Sequence, residues 1–514
     1  MSLRKEASPV ATALATAGPL AVFCLALLTL APASSRAQPP SPAGASPNAP
    51  GATTPAQGQF VEGAQQQLQG TNGVNLAAPT SQSFQGSLVE GVANGAVMDL
   101  SLDDAIARGL RANLGLILQT TAQQNARGQQ LEQLQALLPT VTADASIEVE
   151  QVNLAAFGIK FPGLNPIIGP FQVIDFRVFL TQSLFNLTNF ETYLAARHNF
   201  RSAQLTAADA RDMVVLTVGN AYLLCIADAA HIDAVNAELA TSKVSLDQAT
   251  AAHDAGTSPR LDVLRAQVDY QNEQQDLISA TNQLAKDKLA LARVIGLPLD
   301  QAIRLSDTEP YKSLDNIDPA AAFQQALRNR KDLAAQNEQV LAARSEKTAA
   351  FADQLPTAKF SGDFGDIGET VNHSHDTFTA TGKVEAPILQ IAKTRGEEDV
   401  AQSNYVQVQD KLADQTQQIN ADIRDAILDI QSAAKLVDAA KSNVDLANEE
   451  LSEAQQRFHA GVADNLPVSQ AQSQTEQAAN QYIAALYQHN TAKLALARAL
   501  GVAETNYKDY LGGK

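Results

Sequence analysis

The stretch Lys288-Leu289-Ala290-Leu291-Ala292-Arg293 recurs letter for letter as Lys493-Leu494-Ala495-Leu496-Ala497-Arg498, which is 205 residues later (493 minus 288). Nearer the start of each half the separation is different. There the pair Leu138-Pro139 recurs as Leu355-Pro356, 217 residues later. Two matching registers over such a length indicate an internal repeat. The dozen extra residues of the first unit fit the Gly/Pro-rich stretch 153–170.

Each unit also contains one very long helical stretch. From Thr188 to Asp254 there is no proline and a single glycine, a run of 67 residues (254 minus 188, plus 1). At a rise of 1.5 Å per residue this run spans on the order of 100 Å. The second unit has a similar run over 392–460. Helices of this length without internal caps are typical of coiled coils and of helical tunnels.

Four shorter segments alternate between apolar and polar residues, which is the period of a β-strand. They form predicted hairpins at about 140–185 and 357–389, one in each unit. One side of each segment is apolar and the other is polar and charged. The charged residues that we predict to line a water-filled pore are Asp144, Glu148, Glu150, Asp175, Arg177, Lys359, Asp363, Lys383 and Glu385.

Alternating strands can also form a sandwich with one wet face. Here the hairpins are separated by such long helices that no second sheet is available to cover their apolar sides. We therefore interpret them as membrane strands with lipid on the apolar side. We also see no apolar run of helix length beyond residue 37, so a membrane crossing has to use strands. Four strands cannot close, eight fill their own interior, and twelve leave a lumen. The sequence thus predicts a homotrimer with an acidic pore that favours cations.

The ends of the chain and its composition narrow the class of protein. Residues 1–37 have the order of charge, apolar core and small residues of a secretory signal peptide. Residues 38–98 are rich in Pro, Gly, Ala, Ser and Gln, which predicts a disordered leader. The two repeats then occupy 99–299 and 300–502, and 503–514 form a C-terminal tail.

Composition and motifs argue against several functions. A net charge of -18 argues against binding to nucleic acid. The sequence contains no phosphate loop, no Cys-x-x-Cys pair, no His-Glu-x-x-His motif and no nucleophile elbow. The many carboxylates have the spacing of solvated helix faces. We therefore expect neither enzyme activity nor a cofactor.

Together these features resemble the TolC family of outer-membrane efflux proteins over residues 99–502. The motifs that carry the resemblance are the tandem repeat, the Leu-Pro pair before the first strand of each unit, Pro387-Ile388-Leu389 after the second hairpin, and the glycine-containing tips at 255–264 and 460–468.

The resemblance implies a mainly α fold with a small β part. It implies a trimer with a twelve-stranded transmembrane β-barrel, a periplasmic α-barrel tunnel of twelve helices, and a mixed belt around the tunnel. It also implies an outer-membrane export conduit for efflux or type I secretion. In such a conduit the helical tips dock onto a periplasmic adaptor protein that is linked to an inner-membrane pump.

The tips are therefore the predicted docking sites. Gly256 and Gly461 permit the left-handed backbone with which a helix turns back on itself. Tips that serve only as good turns fit the sequence equally well. The docking candidates are Ala255, Gly256, Thr257, Leu261, Asp262, Ala460, Gly461, Val462 and Leu466. The candidates for an acidic ring where the tunnel narrows are Asp254, Asp262 and Asp464, although each has equally the character of a solvated carboxylate.

Three alternatives remain open at this point. His373 and His375, in a predicted external loop, form a weak candidate metal site, but an exposed polar loop needs no metal. A trimeric coiled-coil surface protein without channel activity explains the long helices but not the repeated hairpins. A periplasmic adaptor has a single helical hairpin as a rule, whereas this chain has two. The cargo, whether small molecules, metal ions or polypeptides, does not follow from the sequence.

Overall fold

The computed structural model describes residues 84–511 apart from short gaps at 94, 159–162, 164, 309–310, 315–316 and 463–464. The predicted signal peptide at 1–37 and most of the predicted leader lie outside these residues. The first repeat comprises β1 (Met98–Leu100), α1 (Leu102–Ala112), α2 (Leu114–Gln135), β2 (Thr140–Asn153), β3 (Ile167–Phe185), α3 (Leu187–Asp254) and α4 (Arg260–Ile295).

The second repeat has the same elements in the same order. It comprises β4 (Ile303–Leu305), α5 (Pro319–Asn329), α6 (Lys331–Ala352), β5 (Thr357–Gly368), β6 (Ser374–Glu385), α7 (Ile391–His459) and α8 (Leu466–Ala499), and a short helix α9 (Ala503–Leu511) follows. The predicted tandem repeat and the mainly α fold with a small β part are confirmed. The helices α3 and α7 contain 68 and 69 residues.

Helices α1 and α3 begin at a side chain that caps their first backbone amides. The Oγ of Ser101 accepts a hydrogen bond from the backbone N–H of Asp104 at 3.1 Å, which confirms the predicted start of α1. The amide side chain of Asn186 accepts from the N–H of Asn189 at 3.0 Å and starts α3 directly after the sheet. Helix α3 therefore follows strand β3 directly, whereas five residues separate β6 from α7.

The apolar core lies where the long helices pass the short ones. Val214, Val218 and Tyr222 of α3 are fully buried against Leu291 of α4 and Leu494 of α8. A second cluster forms around the isoleucines of α7, which pack on α5 and α8. The repeated KLALAR stretches thus supply core residues in both units. They hold the two helical hairpins of the chain side by side.

A two-stranded parallel sheet joins the starts of the two repeats. Strand β1 pairs with β4 so that Met98 lies opposite Ile303 and Leu100 lies opposite Leu305. Each pair is 205 residues apart, which is the same separation as between the KLALAR copies. The guanidinium of Arg304 donates to the carboxylate of Asp99 at 2.6 Å. The two repeat units are therefore in contact at equivalent positions.

The prediction of a disordered leader up to residue 98 is wrong for its last part. The carbonyl of Phe84 accepts a hydrogen bond from the side-chain amide of Asn113 at 2.6 Å. The backbone N–H of Leu88 donates to Ala112 at 2.8 Å, and that of Glu90 donates to Gly296 at 2.9 Å. This segment carries no periodic pattern of its own. It is ordered by backbone contacts with α1 and the end of α4, which the sequence alone does not reveal.

The predicted C-terminal tail is also a folded element. Helix α9 lies against α1 and α3, with Leu511 buried at its end. The carboxylate of Glu504 accepts from the guanidinium of Arg211 at 2.8 Å, and the ammonium group of Lys508 donates to Asp103 at 2.5 Å. The predicted C-terminal tail thus includes a helix packed on the rest of the chain. This helix is too short to show a clear hydrophobic period, and its stability comes from these tertiary contacts.

One helix in the described part of the chain, α3, contains a stretch that is apolar and long enough to cross a membrane, with a mean hydropathy of 1.7 over 18 residues. The expectation that no such run exists beyond residue 37 is therefore wrong. However, 61% of that stretch is buried inside the chain. Its apolar residues belong to the core described above, which accounts for the high hydropathy without a membrane.

Replacing Gly296 with alanine should destabilise the fold more than the same change at Gly256. Both glycines have a left-handed backbone, with φ of +75° and +73°, which costs an alanine about 1–2 kcal/mol. A Cβ at 296 would also lie 2.5 Å from the Cβ of Ala112, whereas a Cβ at 256 meets nothing within 4 Å. Urea unfolding of the two variants in detergent, followed by circular dichroism, measures the difference. Equal losses would contradict the close packing at Gly296.

Candidate functional site

The nine charged residues predicted to line a pore lie on one face of a single four-stranded sheet. The strand order is β2-β3-β5-β6, and all three pairings are antiparallel. Residues directly opposite each other in such a sheet point to the same face. Asp144 lies opposite Arg177, and Lys359 lies opposite Lys383. Strand β3 of the first repeat pairs with β5 of the second, so that Phe179 lies opposite Asp363, 184 positions later.

Ion pairs on this charged face link the two hairpins. The guanidinium of Arg177 on β3 contacts the carboxylate of Asp363 on β5 and that of Asp175, the latter at 3.3 Å. It also donates to the hydroxyl of Thr377 on β6 at 3.2 Å. Lys383 pairs with Glu385 on the same strand. The face carries six acidic and three basic residues of the predicted set, so it is acidic overall.

Strand β2 supplies the acidic groups that remain without a cation. Asp144, Glu148 and Glu150 follow one another along its charged face. Within the described ranges none of the three forms an ion pair. Carboxylates of this kind are stable only where water solvates them or where a further chain supplies a cation.

The opposite face of the sheet is mainly apolar, with Asp366 and Asp376 on it near the turn between β5 and β6, and no other described element covers it. Its side chains are large and largely exposed, up to 77% for Phe378. The exposed members are Val141, Ile147, Val149, Phe176, Val178, Leu180, Phe364, Phe378 and Val384. A mainly apolar surface on one face and a charged surface on the other is the pattern of a sheet between lipid and water.

The sheet has two free edges. Among the described strands, β2 pairs only with β3, and β6 pairs only with β5. Each outer edge therefore presents backbone N–H and C=O groups that have no strand partner within the described residues. Such edges are templates for pairing with another strand.

The two histidines considered as metal ligands do not form a metal site with other residues. His373 lies in a short turn, and its Nδ1 is 3.0 Å from the hydroxyl oxygen of Thr370. His375 lies within strand β6 opposite Ile367, and not in the loop where we expected it. In the part of the chain that the structure describes, no group of three or more His, Cys, Asp or Glu side chains is close enough to hold a metal ion.

The two helical tips have the same backbone geometry. Gly256 and Gly461 have φ of +73° and +69°, which confirms the predicted left-handed turns. The N–H of Thr257 reaches back to the carbonyl of Ala252 at 2.9 Å, and the N–H of Val462 reaches back to Arg457 at 3.1 Å. These are the hydrogen bonds of a Schellman motif, which ends a helix in a fixed direction.

Apolar side chains at both tips project into solvent. In the first tip they are Leu261 and Leu264, of which the sequence analysis identified only the first. In the second tip they are Val462, which is 72% exposed, and Leu466. Each helical hairpin therefore ends in a rigid turn with an exposed apolar surface of its own, and such surfaces are typical of binding sites.

Asp262, a candidate docking and acidic-ring residue, is almost entirely buried within the chain. Its side chain is only 4% exposed. Its carboxylate accepts a hydrogen bond from the hydroxyl of Ser258 at 2.6 Å and lies 3.8 Å from the guanidinium of Arg265. Asp262 thus stabilises the first turn of α4. Asp254 is exposed at the end of α3, and Asp464 lies outside the described residues.

A group of buried carboxylates between the helices was not predicted. Glu238 of α3 is 8% exposed, although its spacing suggested a solvated position. Burial, together with the nearby charge of Glu476 on α8, raises the pKa of Glu238 to about 7. Burial likewise raises the pKa of Glu273 on α4 to about 7, with added repulsion from neighbouring carboxylates. Such burial depends on which faces of three helices meet, and one helix alone cannot reveal it.

The known family that matches this chain is the one described as outer membrane efflux protein, over residues 107–297 and 322–502. The two matched segments coincide with the two repeats and cover well over half of the chain. The chain belongs to this family. The resemblance to the TolC family and the outer membrane as the location are thereby confirmed.

Curated members of the family give more specific similarities. The toluene efflux pump outer membrane protein TtgF of Pseudomonas putida is 28% identical over 221 residues. A solvent efflux pump outer membrane protein, SrpC, of the same species is 26% identical over 216 residues. These alignments cover 41% of this chain. They span 42% of TtgF and 44% of SrpC, or a little over two fifths of each relative.

Solved structures of two outer membrane proteins share the fold over most of the chain. The outer membrane protein VceC of Vibrio cholerae aligns with a TM-score of 0.69 over 78% of this chain and 96% of its own, at 19% identity. The CmeC outer membrane channel of Campylobacter jejuni aligns with a TM-score of 0.70 over 84% of this chain and 94% of its own, at 15% identity. At these identities the likeness concerns the fold alone.

Replacing Glu238 with glutamine should remove part of the pH dependence of stability. Glu238 has a pKa of about 7 in the folded protein and an ordinary pKa of 4.5, so the folded protein loses stability as the pH rises through this interval. At pH 8 the variant should therefore need a higher urea concentration to unfold than the native protein, with a free energy of unfolding that is higher by up to about 3 kcal/mol. At pH 4.5 the two proteins should unfold at similar urea concentrations.

The matched control for this prediction is Glu453→Gln, at an exposed position on α7. The other ionisable groups near the cluster are Glu273, Asp269 and Asp276 of α4, Glu476 of α8 and His231 of α3. They stay in place in both variants and leave a residual pH dependence. Equal pH profiles for native protein and Glu238→Gln would show that Glu238 does not retain a proton in the folded chain.

Proposed function

We propose that this chain is the subunit of a homotrimeric channel in the outer membrane, which passively conducts cargo delivered by an inner-membrane pump through a periplasmic adaptor. The observation that carries the proposal is the four-stranded sheet, with one charged face, one exposed apolar face and two free edges. Lipid on the apolar face and water on the charged face satisfy both surfaces at once.

The repeat supports closure of this sheet by further copies of the chain. Inside the chain, the two repeats meet where β3 pairs with β5 and where α3 packs on α8. We call this contact between the two repeats the internal joint. Under the repeat, β6 and β2 are the counterparts of β3 and β5, and α7 and α4 are the counterparts of α3 and α8. A second copy therefore repeats the internal joint at the outer edges, with β6 and α7 of one chain against β2 and α4 of the next.

The outer helices have the surface that such a joint requires. Helix α4 exposes Val268 and Ile278, and helix α7 exposes Leu428 and Leu446. Three copies supply twelve strands and twelve long helices, which is the smallest closed ring with a water-filled lumen. The charged faces of three sheets then line one continuous channel, and the long helices extend it as a periplasmic tunnel.

A partner at the helical tips follows from their geometry and from the named relatives. The tips are rigid turns with exposed apolar residues at the far end of the helices from the sheet. Relatives in Pseudomonas putida are outer membrane proteins of toluene and solvent efflux pumps. For this chain we propose the same kind of pump-dependent export, with a cargo that the pump selects.

Single-channel recording of the purified protein in planar bilayers tests the conduit. We expect discrete channels with cation preference in a salt gradient, because the pore face is acidic. The triple variant Asp144→Asn, Glu148→Gln, Glu150→Gln should lower the cation-to-anion permeability ratio roughly two-fold or more, since it removes half of the acidic groups. The control Asp366→Asn, on the apolar face opposite Phe176, should leave the ratio unchanged.

Two results would count against this proposal. Anion preference of the native channel would contradict the acidic lining. A protein that extracts without detergent and never conducts would favour the coiled-coil surface protein instead, since that protein needs no barrel.

The docking surface can be tested by photo-crosslinking in living cells. A benzoylphenylalanine at Val462 should form a covalent adduct that mass spectrometry identifies as a periplasmic adaptor protein. The same residue at Leu299, which is comparably exposed but lies after α4 at the opposite end from the tip, should not. Additional substitution of Leu466 by aspartate should reduce the adduct at least several-fold, because it places a charge on the apolar contact. Equal adducts from positions 462 and 299 would remove the tips as the docking site.

A further inference from the structure

The registers of the two hairpins are related by fixed offsets. Thr140 on β2 lies opposite Thr181 on β3, and Thr357 on β5 lies opposite Glu385 on β6. The first strands are therefore offset by 217 residues (357 minus 140) and the second strands by 204 (385 minus 181). The offset of 217 is also that of the Leu-Pro pairs that precede these strands. The repeat thus relates each residue of one hairpin to one residue of the other.

The pairing of β3 with β5 at the internal joint gives the register that the offsets can be applied to. There Phe179 lies opposite Asp363, and Leu180 lies opposite Gly362. The offset of 204 carries Phe179 to Lys383 on β6, and the offset of 217 carries Asp363 back to Ser146 on β2. The same operation carries the pair Leu180 and Gly362 to Val384 and Ala145.

We infer that neighbouring chains join with Lys383 of β6 opposite Ser146 of β2 in the next subunit, so that Lys383 lies diagonally between Asp144 and Glu148 of that subunit. This inference rests on the proposed homotrimer and assigns the residue register of its joint. In this register Val384 faces Ala145 of the next subunit, and Thr381 faces its Glu148.

The faces of the sheet agree with this register. Lys383 and Ser146 both belong to the charged face, whereas Val384 and Ala145 both belong to the apolar face. A slip by one residue would place charged residues against apolar ones along the whole joint. Slips by two residues preserve the faces, and the repeat selects among these.

The charges of the two edges are complementary. Strand β2 carries Asp144, Glu148 and Glu150 and contains no lysine or arginine, whereas Lys383 is the lysine of β6. Glu385 faces Asp144 of the next subunit in this register, and two carboxylates directly opposite each other are destabilising. Lys383 pairs with Glu385 within the chain, and in this register it lies one diagonal step from Asp144 of the next subunit. It therefore performs between chains the role that Arg177 performs inside the chain, where it ties Asp363 of β5 to β3.

Disulfide crosslinking of the full-length protein in outer membranes tests the register. Val384→Cys is combined in turn with Ala143→Cys, Ala145→Cys or Ile147→Cys for the apolar face. Thr381→Cys is combined with Ser146→Cys, Glu148→Cys or Glu150→Cys for the charged face. Directly opposite residues have Cβ atoms about 4.5–5.5 Å apart and diagonal neighbours about 7–8 Å, whereas a disulfide requires about 3.5–4.5 Å.

The expected result is covalent dimers and trimers from Ala145→Cys with Val384→Cys and from Glu148→Cys with Thr381→Cys. Yields should be several-fold above those of the shifted pairs. Directly opposite residues of an antiparallel sheet alternate between hydrogen-bonded and non-hydrogen-bonded pairs, and the side chains are closer in the second kind. Because one face holds the first kind and the other face holds the second, the two cysteine sets test both. The intrachain pair Leu180→Cys with Gly362→Cys, opposite each other in the sheet, is the control for oxidation. Native Cys225 is fully buried and should not react.

A second measurement isolates the role of Lys383. Lys383→Gln should lower the temperature at which the trimer dissociates in detergent by about 5 °C or more, because Glu385 and the acidic residues of β2 lose their shared cation. Lys359→Gln is the matched control, since Lys359 lies on the same face but on the inner strand β5. It should not lower this temperature.

The outcomes separate the inference from the proposed function. If the cysteine pairs displaced by two residues crosslink more strongly than the expected pairs, in a protein whose native mass is that of three chains, the register is wrong but the trimer is supported. Loss of all interchain crosslinks while the intrachain control oxidises would show that these edges do not pair. A monomeric protein that does not conduct would overturn the proposed function itself.

Discussion

The backbone at the edges of the four-stranded sheet is the constraint on which the rest of the structure depends. In lipid no water is available to the N–H and C=O groups of a free strand edge, and each unpaired group costs several kcal/mol. In the proposed channel the apolar face of the sheet lies in lipid, yet among the described strands β2 and β6 each have a partner on one side only. Closure with further copies of the chain, as we propose, would satisfy both edges.

The tandem repeat makes such closure possible with a single type of joint. The joint between repeats inside the chain combines the β3·β5 pairing with helix contacts, including the ion pair between Arg498 of α8 and Asp209 of α3 at 2.8 Å. A ring of three chains uses this joint three times within chains and its counterpart three times between chains. The parallel pairing of β1 with β4 and the packing of α9 on α3 and α8 add contacts within each chain that no neighbour needs to supply.

The sequence predicted the elements that carry a strong period of their own. The absence of proline from 188 to 254 placed helix α3 within one residue of its start, and the alternation of β2 identified the charged face before any register was known. Elements stabilised by contacts with distant residues were missed. Residues 84–90 are ordered by hydrogen bonds to Asn113, Ala112 and Gly296, and α9 is held by Asp103 and Arg211. The burial of Asp262 depends on a hydrogen bond from Ser258, and that of Glu238 depends on the meeting of three helices.

The native mass of the detergent-solubilised protein tests the central claim most directly. The account predicts a single species of three chains that conducts when inserted into a bilayer, because three sheets of four strands close the edges around a water-filled lumen. A stable monomer or dimer, with the strand edges unpaired in detergent, would contradict closure by repetition of the internal joint.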